Sequence, residues 1–184
     1  MLIGICGKSG SGKSTLANKI VEKYASKVIH CDIDKIGHKA LQDDLIKKEL
    51  IKQFGYGIVS NNSIDRKELS KIVFNSTKQM EKLTNITWKY MEKEIDKIID
   101  NNPEKTIILD WLLLPKSKHF KNCSMRILLS VPYETRMKRA LLRDNITEEA
   151  FALREKASYQ YNESSFDYVI RDNKNEIERL VHLI

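Results

Sequence analysis

Cysteine is scarce in this chain of 184 residues. Cys6, Cys31 and Cys123 are odd in number and show no metal-ligand spacing, which excludes a disulfide framework and a thiolate metal site. They read as small buried hydrophobes in a reducing compartment, so the expected location is cytoplasmic. Long apolar runs are missing too. The N-terminal stretch is cut by Gly4 and ended by Lys8, and the longest later run, residues 107–114, is interrupted by Asp110, so neither reads as a signal peptide or a membrane span. His30, His38, His119 and His182 are scattered without ligand spacing, and no nucleophilic triad stands out. Repeats, linkers and low-complexity tracts are absent, which leaves a single domain over 1–184. The net charge is +7 with a pI near 9.2, but aromatic residues are not interleaved with the basic ones as in an RNA-binding sheet. Much of the surplus lies in Lys/Glu mixtures that read as solvated helix faces. No nucleic-acid partner is expected; the surplus suits a small-molecule substrate that carries several phosphates.

Glycine is also sparse, seven in all, yet three fall within Gly7-Lys8-Ser9-Gly10-Ser11-Gly12-Lys13-Ser14. This is a complete phosphate-binding loop, or P-loop. Its glycines let successive backbone N–H groups converge on phosphate oxygens at the positive end of the following helix. Lys13 can reach the β- and γ-phosphates, Ser14 is placed to coordinate Mg²⁺, and Thr15 extends the hydroxyl pair. Gly10, Ser11, Gly12, Lys13, Ser14 and Thr15 are therefore the candidate cofactor site for ATP. The context supports the motif: Leu2-Ile3-Gly4-Ile5-Cys6 reads as a buried strand, and residues 15–24 read as a helix with apolar Leu16, Ile20 and Val21.

Four further strands are expected, at 27–31, 106–110, 125–131 and 167–170. The third and fourth of the five strands are near-continuous apolar runs, as strands buried on both faces are. Helices alternate with them. One covers about 35–54 up to the break at Gly55-Tyr56-Gly57, one starts after an Asp65 N-cap, and one runs from Thr77 to about Asp100 with an apolar stripe that must pack on something. Beyond Pro132 a helix carries Arg136, Arg139 and Arg143, another follows over about 147–161, and a last helix ends the chain. The pattern predicts an α/β fold with a five-stranded parallel sheet flanked by helices. The stretch at about 36–101 is too long for a simple crossover and is expected to form a helical, substrate-covering subdomain.

The carboxylates indicate what accepts the phosphoryl group. Asp32 and Asp34 follow a strand, where open α/β sheets gather ligands, and alternation would project both the same way if extension persists. An alcohol acceptor gains from a carboxylate that orients it and takes its proton, whereas a phosphate acceptor needs mainly arginines. A helix cap is the other role open to either residue. Asp110 ends a hydrophobic strand, in the pattern of an acid that binds Mg²⁺ directly or through water; a solvated strand-end carboxylate is the plainer alternative. Arg136, Arg139 and Arg143 fall at i, i+3 and i+7, so one helix face could clamp phosphates, and Arg143 beside Asp144-Asn145 is the foremost candidate on a lid over about 139–150. Asp65-Arg66 is a cap with a solvent-facing or substrate-facing partner.

In this order, the loop, Asp32-Ile33-Asp34, Ile64-Asp65-Arg66-Lys67-Glu68-Leu69, Leu109-Asp110-Trp111-Leu112-Leu113-Leu114 and Asp167-Tyr168-Val169-Ile170 resemble dephospho-coenzyme A kinase across nearly the whole chain. The resemblance implies a three-layer P-loop kinase fold with an ATP-binding core, a helical substrate domain and a lid. It implies transfer of the γ-phosphoryl group of ATP to the ribose 3′-hydroxyl of dephospho-coenzyme A, the last step of coenzyme A synthesis; the oligomeric state is left open, with a monomer slightly favoured. By the family pattern Asp34 is the base or hydroxyl-positioning residue, Arg143 the lid arginine on the phosphates and Arg66 a substrate-domain contact; with the readings above, Lys13, Asp34 and Arg143 are the catalytic candidates, Asp32, Asp34 and Arg66 the substrate-binding ones, and Ser14 and Asp110 the metal-binding ones. The chain departs from the family pattern at Trp88-Lys89, where a His-Pro pair is usual, and at Leu112-Leu113-Leu114-Pro115-Lys116 after the third strand. Lys156 stands at a usual glutamine and Asp172 at a usual asparagine. These departures bear on the acceptor and the adenine, which leaves open another P-loop kinase of a nucleoside or nucleotide, or an ATP-binding member without useful transfer.

Overall fold

The computed structural model describes residues 1–171 and 174–183; Asp172 lies outside them. In chain order the elements are β1 (Leu2–Gly7), α1 (Lys13–Tyr24), β2 (Val28–Asp32), α2 (Ile33–Ala40), α3 (Asp44–Phe54), β3 (Val59–Ser60), β4 (Ser63–Ile64) and α4 (Arg66–Val73). They continue with α5 (Thr77–Asp100), β5 (Thr106–Asp110), β6 (Met125–Leu129), α6 (Tyr133–Asp144), α7 (Glu148–Lys156), β7 (Tyr168–Ile170) and α8 (Lys174–Leu183). Between β5 and β6 the chain makes two short 3-10 turns, Leu114–Lys116 and Lys118–Asn122, which the sequence pattern did not suggest.

By internal packing the chain divides into two units, residues 1–32 with 99–184, and residues 33–98. The first holds the sheet. Its strand order is β2-β5-β1-β6-β7, and every pairing is parallel, as the alternation of strands and helices predicts. β1 lies centrally and pairs with β5 on one side and β6 on the other, so Gly7, its last residue, opens at the carboxyl edge of the sheet. Ile3 and Ile5 of β1, Ile108 of β5 and Ile127 and Leu129 of β6 form one buried cluster with Leu16, Ala17 and Ile20 of α1 and Leu180 and Val181 of α8. Each of the Ile, Leu and Val side chains contributes about 1.5–3 kcal/mol of burial, and together they fix where α1 begins relative to β1. All three cysteines are free thiols and buried, and burial pushes Cys31 and Cys123 up to about 12, which keeps them unreactive.

The second unit is helical, with a small hairpin. The helix expected over 35–54 is two helices. Asp43 interrupts it and caps α3, accepting from Leu45 N (3.0 Å) and Ile46 N (3.1 Å). β3 and β4 pair antiparallel, and the turn between them places Asn61 at φ 48° and Asn62 at φ 61°. Left-handed values at both central positions suit the right-handed twist of a two-residue hairpin, and asparagine tolerates them. Asp65 caps α4 as expected, accepting from Lys67 N (2.9 Å) and Glu68 N (3.2 Å). The apolar stripe of α5, Met80, Leu83, Ile86 and Tyr90, packs on a cluster of Ala40, Ile46, Leu50, Ile58, Ile64, Leu69 and Val73.

Candidate active site

The turn from β1 into α1 is built for an anion. Gly12 holds α1's N-cap position in the left-handed region (φ 93°), no side chain caps the helix, and a Cβ placed there would meet nothing within 4 Å. The first N–H groups of α1 thus face open space at the positive end of a helix packed firmly on the sheet. Ser11 is 4% exposed and its Oγ has no hydrogen-bond partner, an orphaned polar atom of the kind a bound phosphate satisfies. These features fit the triphosphate of ATP. Gly10 answers to a different demand: its φ is 78°, and a Cβ would come within 2.2 Å of the Arg136 carbonyl oxygen, so only glycine lets the loop lie against α6.

Asp110 is 3% exposed at the carboxyl end of β5. Its Oδ2 accepts from Ser14 Oγ at 2.7 Å and from His30 Nε2 at 3.2 Å. Burial pushes this carboxyl up, but the His30 hydrogen bond, the Lys13 charge and the Ser14 hydrogen bond together hold it below the usual aspartate value. An ionised carboxylate beside a hydroxyl at the head of a phosphate loop is a hard-oxygen donor set, and it fits Mg²⁺, which takes one or two protein oxygens and completes its shell with phosphate and water.

β2 runs beside β5 with Asp32 in register with Asp110. Residues level across a parallel pair share a face, and so do alternate residues along a strand. His30, Asp32 and Asp110 therefore line one side of the sheet edge, the side of α1, where His30 Nδ1 also lies 3.2 Å from Asn18 Oδ1. The extension that would have carried Asp34 onto this face ends at Asp32. α2 starts at Ile33, and Asp34 sits exposed in its first turn, within the second unit. The residue that alternates with Asp32 is His30, which its lack of metal-ligand spacing had set aside; alternation applied backward from Asp32 was the signal that could have found it.

The three arginines of α6 do not share one role. Arg136 is 4% exposed and is a structural anchor, which removes it from the helix face of three arginines that could clamp phosphates. Its Nε donates to Val131 O (2.9 Å), its two terminal nitrogens reach the Glu155 carboxylate (2.8 and 3.1 Å), and it lies over the rings of Tyr133 and Phe151. Glu155 is 21% exposed, so breaking the pair costs less than the roughly 3–5 kcal/mol of a fully buried one. Arg139 and Arg143 are exposed. Arg143, 62% exposed, pairs through Nε and Nη2 with the carboxylate of Asp144 (2.7 and 3.0 Å), which Arg154 also engages (2.6 Å). Asn145 ends α6 in the left-handed region, a conformation asparagine adopts readily at a helix end.

α7 stops at Lys156, five residues short of the expected end. The freed segment lets the Tyr161 hydroxyl donate to Leu112 O (2.8 Å) and accept from Gly7 N (3.1 Å). Lys8, the second residue of the loop, donates to Glu155 Oε1 (2.7 Å) and Gln160 Oε1 (3.3 Å). Lys116, one of the departures from the family pattern, stacks its ammonium over the Tyr159 ring at 5.7 Å. In the second unit, Arg66 begins α4 directly after its cap and donates through Nη2 to His38 Nε2 of α2 (2.8 Å), which requires that nitrogen to be unprotonated.

The dephospho-CoA kinase family model matches residues 1–178. The chain belongs to the dephospho-CoA kinase family. A dephospho-CoA kinase of Aquifex aeolicus is 38% identical over 181 residues, covering 96% of this chain and 90% of its own length. One from Fusobacterium nucleatum is 32% identical over 178 residues, covering 95% and 91%. A crystal structure from Thermus thermophilus superposes with a TM-score of 0.76 at 23% identity over 100% of this chain and 94% of its own, a likeness of fold. Membership makes the chain a kinase and ATP its phosphoryl donor. Among the described residues, no helix is long and apolar enough to cross a membrane, and no cluster of three or more His, Cys, Asp or Glu could hold a metal ion by itself. A Mg²⁺ held by Ser14, Asp110 and the nucleotide's own phosphates needs no such cluster.

Proposed function

We propose that this protein transfers the γ-phosphoryl group of ATP to the ribose 3′-hydroxyl of dephospho-coenzyme A, giving coenzyme A. The observation that carries the reading is the convergence of Lys13, Ser14 and a buried, ionised Asp110 behind an open phosphate loop, with Asp32 level with Asp110 on the next strand. Lys13 and the loop amides hold the β- and γ-phosphates and meet the negative charge that builds on them during transfer. Ser14 and Asp110 would hold Mg²⁺, which would supply positive charge to the phosphates of the nucleotide.

Asp32 takes the hydroxyl proton. It ends β2 level with Asp110 and shares that acid's face, whereas Asp34 lies in the first turn of α2. Asp34 and Arg66 then serve acceptor binding: Arg66 suits the pyrophosphate of dephospho-coenzyme A, and its hold on His38 keeps the guanidinium oriented. Residues of about 139–150 act as a lid, with Arg143 leaving Asp144 for the phosphates as the lid closes. The same reading makes the enzyme a cytoplasmic monomer.

The test is an acceptor panel with ATP and Mg²⁺. Dephospho-coenzyme A is expected to yield ADP and a 3′-phosphorylated product. Turnover confined to a nucleoside or nucleotide would replace this substrate with another, and ATP binding without turnover on any alcohol would make the chain a binding protein.

A further inference from the structure

The outer limb of the phosphate loop, residues 7–10, is tied at every position to the end of α7 and the strand of chain after it, or to the arginine they hold. Gly7 donates its N–H to Tyr161, and Lys8 donates to Glu155 and Gln160. Ser9 O accepts a long bond from Arg136 Nη1 (3.4 Å), and Gly10 lies against the Arg136 backbone. Glu155 is common to the two cations: Oε1 takes Lys8 and one nitrogen of Arg136, Oε2 takes the other. Residues 12–15, which cap and begin the nucleotide-facing helix, are not part of this set. The ties bear on one limb of a loop whose working shape is the aim of its N–H groups.

We propose that Glu155 is a positioning residue for ATP, which bridges Lys8 and Arg136 so that the outer limb of the loop is set before the nucleotide arrives. The inference rests on the reading that this loop binds ATP. A limb fixed during folding loses no further conformational freedom on binding, so the benefit appears as nucleotide affinity. The bridge makes equal contributions to bound substrate and transition state, because it touches neither the transferred group nor the acceptor. Its loss therefore raises KM for ATP and leaves kcat nearly unchanged. Burial pushes the Glu155 carboxyl up, but the Arg136 and Lys8 contacts outweigh that and hold it below the usual glutamate value, so the bridge is a true ion pair in the neutral range.

The experiment uses the full chain and reads three quantities: KM and kcat for ATP, the Kd of ADP by calorimetry, and thermal unfolding. Glu155→Gln keeps the shape and removes the charge; it is expected to raise both KM for ATP and Kd for ADP roughly tenfold, with kcat within about threefold of wild type. Lys8→Met removes one of the two cations and moves both constants the same way by less. The Lys8→Met/Glu155→Gln double variant falls short of the product of the single effects, since both break one network. Tyr161→Phe removes the hydroxyl that holds Gly7 N and is expected to weaken ADP binding roughly twofold. Should Glu155→Gln fail to fold, Lys8→Met and Tyr161→Phe carry the test. ADP affinity unchanged in both of these, or a Glu155→Gln variant that loses kcat with KM intact, overturns the proposal. A wild type that binds no ADP overturns the donor-site reading instead.

Discussion

In the sheet unit, Ser14, His30 and Lys13 act on one carboxylate that is 3% exposed, and the outer limb of the phosphate loop is held by bonds from residues about 150 positions away in sequence. In the helical unit, the two polar residues proposed to bind the acceptor, Asp34 and Arg66, are exposed. The contrast follows from what each has to do. Charge redistribution over a transferring phosphoryl group is best met by dipoles and charges that need no reorganisation, and on the donor side the buried Asp110 is held in place by Ser14 and His30. Recognition of a large, flexible acceptor is better served by accessible groups that order as it docks. Groups that meet the transferring phosphoryl should therefore respond to substitution through turnover, and the acceptor side through substrate affinity.

The sharpest break in that comparison is expected from Lys13→Ala, with nucleotide affinity reduced and kcat lowered roughly 10³-fold, near the upper end of losses from deleting one preorganised donor. Steady-state kinetics with an ADP-binding control checks it, and unchanged kinetics would remove the loop from the reaction. Next comes His30, which acts through Asp110 rather than on the nucleotide. His30→Ala is expected to raise the Mg²⁺ concentration for half-maximal ADP binding roughly tenfold, while His30→Gln, whose amide nitrogen can take the place of Nε2, stays within about threefold. Calorimetry across a Mg²⁺ series reads this directly. On the other side of the comparison, Arg66→Ala is expected to raise KM for dephospho-coenzyme A roughly tenfold with KM for ATP unchanged, in proportion to one lost charge-assisted contact. If both KM values rise together, the division of labour is wrong.

The smallest expected effect is on acid stability. Asp110 and Glu155 both titrate below their ordinary values in the folded protein, the first despite burial because of His30, Lys13 and Ser14, the second despite burial because of Arg136 and Lys8. On acidification the unfolded chain takes up these protons first. The stabilisation is thus present above the unfolded carboxyl values, about 4, and is lost as pH falls through the folded ones. A gap in Tm between wild type and Glu155→Gln near pH 7 is expected to close as pH is lowered through about 4 and below. A gap that persists in acid would mean that packing, and not charge, holds this carboxylate in place.

Where chemistry and local geometry sit in the same few residues, the sequence was legible. The loop carries its own turn chemistry between an apolar strand and a helix, β5 and β6 are continuous hydrophobic runs, and the stripe of α5 defined Thr77–Asp100 to the residue. Legibility failed where a distant partner decides. Residues 157–161, Ala-Ser-Tyr-Gln-Tyr, are acceptable helix residues, but Tyr161 leaves the helix to bond the backbone of Gly7, 154 positions back. Arg136 looks like Arg139 and Arg143 on a helical wheel; its burial depends on Glu155 of the next helix. For Asp34 the obstacle was local: nothing in Cys31-Asp32-Ile33-Asp34 indicates that extension stops after the first aspartate, and a two-residue difference in where β2 ends decides whether Asp34 joins Asp32 on one strand face.

That difference carries the central claim, that the reacting hydroxyl is served by the acid of the sheet edge. Turnover of Asp32→Asn and Asp34→Asn, measured side by side at saturating ATP and dephospho-coenzyme A, tests it most directly. Asp32→Asn is predicted to lose roughly 10²-fold or more in kcat, the scale of a missing general base, with ADP affinity within a few-fold of wild type, while Asp34→Asn keeps kcat within about fivefold and changes mainly the KM of the acceptor. The reverse order, with Asp34→Asn inactive and Asp32→Asn turning over normally, would contradict the account.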